Sequence, residues 1–232
     1  MTTNSSTPII KPGLFGCAVS ADSRRFEFDC GNESLLAANV RPDVLFIGDS
    51  ITHLWELQAY FGGTGTILIN RGIGGDTSTY VRKRFAADAL QLRPRLIVMK
   101  IGTNDLGWGM EQLADSIIDT ISENITAMSE DARAAEIPLA LCSLLPIWGP
   151  NWYPVPAFTT RKNAQIVATN ARLRAIAADT GAYYIDYYSA VLTDSGELLH
   201  ELAEDGIHPN AAGYTIMAHV LRETLRNNGV TL

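Results

Sequence analysis

Four short stretches carry side chains that could act together on an acyl group: Gly48-Asp49-Ser50-Ile51-Thr52, Asn70-Arg71-Gly72-Ile73-Gly74-Gly75-Asp76-Thr77, Gly102-Thr103-Asn104-Asp105 and Asp205-Gly206-Ile207-His208-Pro209-Asn210. A serine hydroxyl is a poor nucleophile at neutral pH and needs a base; an imidazole, with an ordinary pKa near ~6.5, suits that task. Asp205 stands three residues before His208, so in a tight turn its carboxylate can accept the Nδ1 proton and leave Nε2 to face Ser50. Acyl transfer also needs donors where the oxyanion forms, each worth about 100- to 1000-fold in rate. The backbone N–H of Ser50, the backbone N–H of Gly75 and the side-chain amide of Asn104 are the candidates.

Each stretch also has a plainer reading. Ser50 at a strand-to-helix junction would serve equally as an ordinary N-cap. Asp205-Gly206 can be a simple turn and Pro209-Asn210 the start of a helix, leaving His208 exposed. Gly72, Gly74 and Gly75 suit a tight turn with positive φ, and Asn104 suits a turn as well. Among rivals for the base, His53 lies one helical turn past Ser50 but has no carboxylate at an orienting spacing, so it reads as a rim residue. His200 and His219 belong to no H-E-x-x-H or other metal spacing. NRGIGGDT does not spell G-x-G-x-x-G, no G-x-x-x-x-G-K-[ST] occurs, and Thr52 stands where a G-x-S-x-G elbow needs its second glycine. No metal and no cofactor is therefore expected.

These stretches need a scaffold that gathers them. From about residue 43 onward, short apolar runs at residues 44–48, 66–70, 96–101, 139–145 and 182–187 alternate with helical spacings. That alternation marks βαβ units and a parallel sheet covered on both faces, a three-layer αβα fold with five strands. Buried helix stripes are expected at Val81, Phe85 and Ala89; at Leu113, Ile117, Ile121, Ile125 and Met128; at Ile166, Leu173 and Ile176; and at Ile216, Met217 and Val220. Reactive groups after the strands would fall at the carboxyl edge, where such sheets bind ligands. Residues 1–42, with a short helical candidate at 33–39, read as an N-terminal arm before a domain at 43–232. Residues 143–158 form a second irregular stretch, rich in proline and aromatics.

Composition narrows the partners. The 232 residues carry 18 Lys+Arg against 25 Asp+Glu, a net charge of −7 with histidine neutral. Such a surface repels nucleic-acid backbones and anionic lipid, so neither nucleic acid nor membrane is expected as a partner. Cys17, Cys30 and Cys142 show no C-x-x-C spacing and no disulfide framework. The N-terminus lacks a basic n-region, and Pro8, Lys11, Pro12 and Gly13 interrupt its apolar stretch, so the expected location is cytoplasmic. A homo-oligomer remains compatible with all of this.

With those residues in view, the chain resembles the SGNH (GDSL-type) hydrolases, and within them the platelet-activating-factor acetylhydrolase-like and carbohydrate O-acetylesterase branch. The resemblance spans about residue 43 to the last helix. It implies a flavodoxin-like sheet in the order 2-1-3-4-5, with Ser50, Asp205 and His208 as the catalytic residues and Ser50, Gly75 and Asn104 as the oxyanion hole. It also implies a serine esterase for short acyl groups, acetyl above all, on a carbohydrate or similar small-molecule ester, working through an acyl-enzyme. Ile51 stands where many members carry Leu, and the family does not account for the arm. A lysophospholipase or thioesterase with a longer acyl groove, or a non-catalytic binding module on the same fold, are the alternatives. For substrate contacts the candidates are Trp108, Trp148, Trp152 and Arg71. Trp55, Tyr153 and Phe158 also follow expected strand ends, and flat sugar rings stack on such surfaces, although the same aromatics could pack their loops. Arg71 or Arg161 could bind an anionic group, or be solvated surface arginines.

Overall fold

The computed structural model describes residues 8–63, 65–108, 114–149 and 163–232. Five parallel strands, β1 Val44–Gly48, β2 Leu68–Gly72, β3 Leu96–Lys100, β4 Leu139–Cys142 and β5 Tyr183–Ile185, form one sheet in the order β2-β1-β3-β4-β5. Among the described residues the α-helices are α1 Arg25–Ala37, α2 Ser50–His53, α3 Leu57–Phe61, α4 Ser78–Asp88, α5 Thr103–Trp108, α6 Ala114–Ala134, α7 Asn163–Thr180, α8 Tyr187–Ala190 and α9 Ala211–Asn227. The chain steps one way from β1 to β2 and the other way from β2 onward. Right-handed crossovers therefore put α4, α6 and α7 on one face and α3 on the other. In accord with this, α4, α6 and α7 pack in a row, with α1 added beside α4, while α9 packs on α3 and α8.

Every residue of β1, β3 and β4 is buried, whereas the edge strands β2 and β5 are only partly covered. This is why the central strands read as unbroken apolar runs. The expected stripes Val81, Phe85 and Ala89, Ile121, Ile125 and Met128, and Ile166, Leu173 and Ile176 are all in the core. On α9 the buried line is Met217, Leu221 and Leu225, with Ile216 and Val220 at its margin. Leu113 lies outside the described residues.

β3 ends at Lys100, one residue before the expected 101, and three other expected strands move by two residues or more. β2 runs from Leu68 to Gly72, two residues later than expected, so Asn70, Arg71 and Gly72 belong to the strand and the turn begins at Ile73. The register explains the shift, since Gly72 pairs with Gly48 at the end of β1. β4 stops at Cys142 although apolar residues continue. Beyond it the buried loop backbone is served by side chains: Asn170 of α7 accepts from Leu144 N and donates to Leu144 O, and Asn163 does the same for Ile147. Apolarity there reflects a buried loop whose peptide groups find partners outside the sheet. β5 ends early because the Asp186 side chain caps α8 by accepting from Ser189 N at 3.1 Å. In the first forty residues the helix is longer than expected, Arg25–Ala37 rather than residues 33–39.

Gly48 registers with Gly72 on one side and Lys100 on the other. The roots of three of the four reactive stretches therefore stand side by side at the carboxyl edge.

Candidate active site

Ser50 is the first residue of α2, and the preceding Asp49 caps that helix with its side chain, accepting from Ile51 N at 3.0 Å. Cap and nucleophile candidate are thus successive residues, and the Ser50 amide is one of the first-turn N–H groups that a helix leaves without an internal acceptor. From the far side, Tyr214 of α9 donates to Ile51 O at 2.7 Å, and Lys100 of β3 lies 3.5 Å from the second Asp49 carboxylate oxygen while donating to Thr103 Oγ1 at 3.0 Å. All of these bracing side chains are buried except Ser50 itself, which is half-buried.

His208 reaches the same point from residues 203–209. Its Nε2 lies 2.7 Å from Ser50 Oγ, and its Nδ1 lies 2.6 Å from Asp205 Oδ2. The other oxygen, Asp205 Oδ1, accepts from the backbone of Ile207 at 2.9 Å and of His208 at 2.8 Å. Partial burial alone would push the Asp205 carboxyl up; the hydrogen bonds from the His208 ring and from the two amides outweigh it and bring the group down to about 2. An ionised acceptor on Nδ1 selects the tautomer whose Nε2 lone pair faces Ser50. Trp148 holds the loop from behind: its indole donates to Ala203 O at 3.0 Å, its backbone N–H to Gly206 O at 3.1 Å, and its ring stacks on His200 at 4.3 Å.

The glycine turn completes the cluster. A Cβ on Gly72 would stand 2.2 Å from His53 N, so only glycine lets β2 pass this close to α2, and Gly75 has φ +77°. A Cβ on Gly74 would lie 4.0 Å from Ser50 Cβ, which places this turn beside the hydroxyl. Asn104, buried at 7% exposure, donates from Nδ2 to Asp76 O at 2.9 Å, tying the third stretch to the second. Beside Asn104 opens a cleft of about 340 Å³ walled by Thr77, Thr79, Asp105, Ser116, Ile117 and Thr120; neither Ser50 nor His208 lines it.

His53 takes the Gly74 N–H on Nδ1 at 3.3 Å and sits at the rim. Burial, then the charge of Arg24, lowers its pKa. Arg71 is placed away from solvent, at 7% exposure: its guanidinium donates to Asn32 Oδ1 at 2.7 Å and lies over the Phe28 ring. Burial brings it down to about 10, partly offset by Asp88. There it braces α1 rather than facing a cleft. Trp55 is a core residue, stacked on Tyr214 at 5.2 Å. The side chain of Trp108 and all of Trp152, Tyr153, Phe158 and Arg161 lie outside the described residues. Among the described residues no cluster of three metal-ligating side chains occurs, and no helix is long and apolar enough to cross a membrane.

The model of the GDSL-like Lipase/Acylhydrolase family matches residues 46–216, most of the chain. The chain belongs to this family. It is a carboxylic ester hydrolase, and its α/β fold is consistent with that of its structural neighbours. Among its relatives are the platelet-activating factor acetylhydrolase IB subunit alpha1 of Bos taurus, 28% identical over 79% of this chain and 75% of that one, and an acetylxylan esterase of Xylanibacter ruminicola, 24% identical over 72% of this chain and 35% of that protein. A GDSL-like lipase from Bacteroides thetaiotaomicron superposes with a TM-score of 0.72 at 28% identity, covering 90% of this chain and all of that one.

Sequence reasoning passed over the residues that brace this candidate site from behind, namely Lys100, Tyr214, Arg84 and the side chain of Asp76. Arg84 Nε donates to Asp76 Oδ2 at 2.8 Å and Nη2 to Gly48 O at 3.2 Å. A signal was available: lysine and arginine fall on positions whose neighbours read as core, which is costly unless the charge is paired.

Proposed function

We propose that Ser50 is the nucleophile, His208 the general base and acid, and Asp205 the residue that orients the imidazole, in hydrolysis of short-chain acyl esters, acetyl esters of carbohydrates in particular. Ser50 Oγ attacks the ester carbonyl carbon while its proton passes to His208 Nε2. The Ser50 and Gly75 amides and the Asn104 side chain donate to the resulting oxyanion. Collapse breaks the bond to the alcohol oxygen, which takes the proton from His208, and leaves acyl-Ser50. Water then attacks the acyl carbon, gives one proton to His208, and collapse returns that proton to Ser50 as the carboxylic acid leaves.

The observation that carries this reading is the continuous contact from Asp205 through His208 to Ser50, at 2.6 and 2.7 Å. The preference for acetyl is supported by the names of the two relatives, both of which act on acetyl groups. A carbohydrate alcohol is supported by the second of these names, an acetylxylan esterase.

A fluorophosphonate probe with mass mapping, followed by turnover of p-nitrophenyl acetate, butyrate and octanoate and of acetylated xylo-oligosaccharide, tests it. Labelling at Ser50 with activity falling steeply beyond butyrate is expected. No label and no turnover in folded protein would instead identify a binding module, and fastest cleavage of octanoate would overturn the short-chain assignment.

A further inference from the structure

The helix α1 and the 3-10 turn Ser20–Arg24 before it lie outside the stretch that matches the family, residues 46–216. Their side chains nevertheless reach the back of the site. Arg25, at 2% exposure, pairs both terminal guanidinium nitrogens with Asp88, the Nη2 contact measuring 2.8 Å, and reaches Asp29 at 2.9 Å. Asp88 also accepts from Arg84 Nη1 at 3.1 Å and from Asn32 at 3.3 Å. Arg84 carries the chain forward to Asp76 and to Gly48 O, and Asp76 O holds the Asn104 amide. At the turn itself Arg24 donates to Gly72 O at 2.9 Å, and a Cβ on Gly75 would meet Ser20 Oγ at 2.8 Å. Phe28 sits within this cluster, with Arg24 and Arg71 each 4.7 Å from its ring centre.

We propose that Arg25 is a positioning residue for ester hydrolysis: through Asp88 and Arg84 it fixes the Asp76 turn, and with it the Gly75 and Asn104 donors, in the geometry the transition state needs. The inference rests on the serine-esterase reading above. Three acceptors hold Arg84 in one plane: Asp76, Asp88 and Gly48 O. Arg25 neutralises Asp88 from the other side. Without it Arg84 is the one direct ion-pair partner left to Asp88 among those described, and a bidentate pairing with Arg84 becomes the favoured arrangement for a carboxylate and a guanidinium. Arg84 can make that second bond only by giving up Asp76 or Gly48 O. Either change moves a turn whose donors must lie at about 2.7–3.1 Å from the oxyanion, and displacements of about 1 Å cost up to ~100-fold in rate.

The test uses full-length Arg25→Met and Arg25→Lys, each in the wild-type and Asn104→Ala backgrounds. Steady-state hydrolysis of p-nitrophenyl acetate is measured well below the melting temperature and normalised to sites titrated by a fluorophosphonate. Arg25→Met should lower kcat about 10-fold with KM changed less than about twofold, and Arg25→Lys should recover part of the loss. In the Asn104→Ala background the same substitution should cost less than about twofold, because a donor it positions is already gone. An unchanged kcat per titrated site, or an equal fold-loss in both backgrounds, overturns the inference. Should Arg25→Met not fold, the partly exposed Arg24→Gln carries the same cycle through its bond to Gly72 O, with an expected loss of about 3-fold, and equal losses in both backgrounds count against it equally. A wild type that neither labels nor turns over would sink the esterase reading and this inference together, whereas an active wild type with indifferent variants sinks this inference alone.

Discussion

The two supports of the site differ in kind. On the solvent side, Asp205 and His208 form a half-exposed turn in which the hydrogen bonds to the Asp205 carboxylate come from within three residues. On the inner side, Arg25, Arg84, Asp76 and Asp88 form a buried ionic cluster spanning some sixty residues of sequence, from α1 to α4. The carboxyl groups reflect the contrast. Asp205 is brought down to about 2 by donors of its own loop. Asp88 is also lowered, because two guanidiniums outweigh its burial, yet Asp76, with Arg84 alone, is pushed up to about 6 by burial. A local turn can set a proton's position cheaply, whereas a buried carboxylate stays comfortably ionised only when distant elements supply enough cations.

The contrast can be tested from either side. Ser50→Ala should abolish turnover, on the order of 10⁶-fold in kcat, with little change in melting temperature; residual turnover above about 1% would break the chemical half of the comparison. Asp205→Asn keeps the turn but favours the wrong imidazole tautomer, and a loss of about 10⁴-fold in kcat is expected, together with loss of the stability that the ionised carboxylate contributes at neutral pH. Arg84→Met should show the opposite pattern first: roughly 3–5 kcal/mol lost in urea unfolding, because Asp76 and Asp88 are left buried with too little compensation. If unfolding midpoints barely move, the inner cluster is not the structural support its burial suggests. Asn104→Ala should lower kcat about 100- to 1000-fold with KM nearly unchanged, and an unaltered kcat would remove it from the oxyanion site.

The smallest effect concerns acid. The folded-state pKa of Asp205 lies below its unfolded value, so the stability it contributes is fully present above about pH 4 and fades only as pH falls through about 2. Unfolding curves from pH 5 to pH 2 should therefore show Asp205→Asn losing less stability than wild type across the lower end of that range. Parallel curves would mean that the loop's hydrogen bonds do not outlast the unfolded ensemble.

The sheet was legible because burial on both faces leaves a pattern that local composition shows: apolar runs with helical spacings between them. The proximity of Ser50 to Asp205 and His208 could be anticipated for a similar reason, since strand ends share one edge and three-residue spacing suffices for the Asp–His contact. Sequence alone places β2 two residues early because Arg71 and Gly72 look like turn residues, and only the pairing of Gly72 with Gly48 decides otherwise. Arg71 looked like a surface cation for the same reason; nothing near it in the chain announces that Asn32 and Phe28 cover it. The inner cluster was illegible as a whole. Its partners come from α1 and α4, and no periodicity links an arginine to an aspartate 63 residues away.

The way Asp205 divides its two oxygens has a consequence for how this enzyme could be rebuilt. One oxygen is spent on the backbone that follows it and the other on the ring, so the tetrapeptide 205–208 carries its own orientation and needs no substrate to assemble it. Such a unit invites grafting as a cassette, provided the new scaffold keeps a counterpart of the Trp148 bonds to Ala203 O and Gly206 O and delivers Nε2 to the hydroxyl.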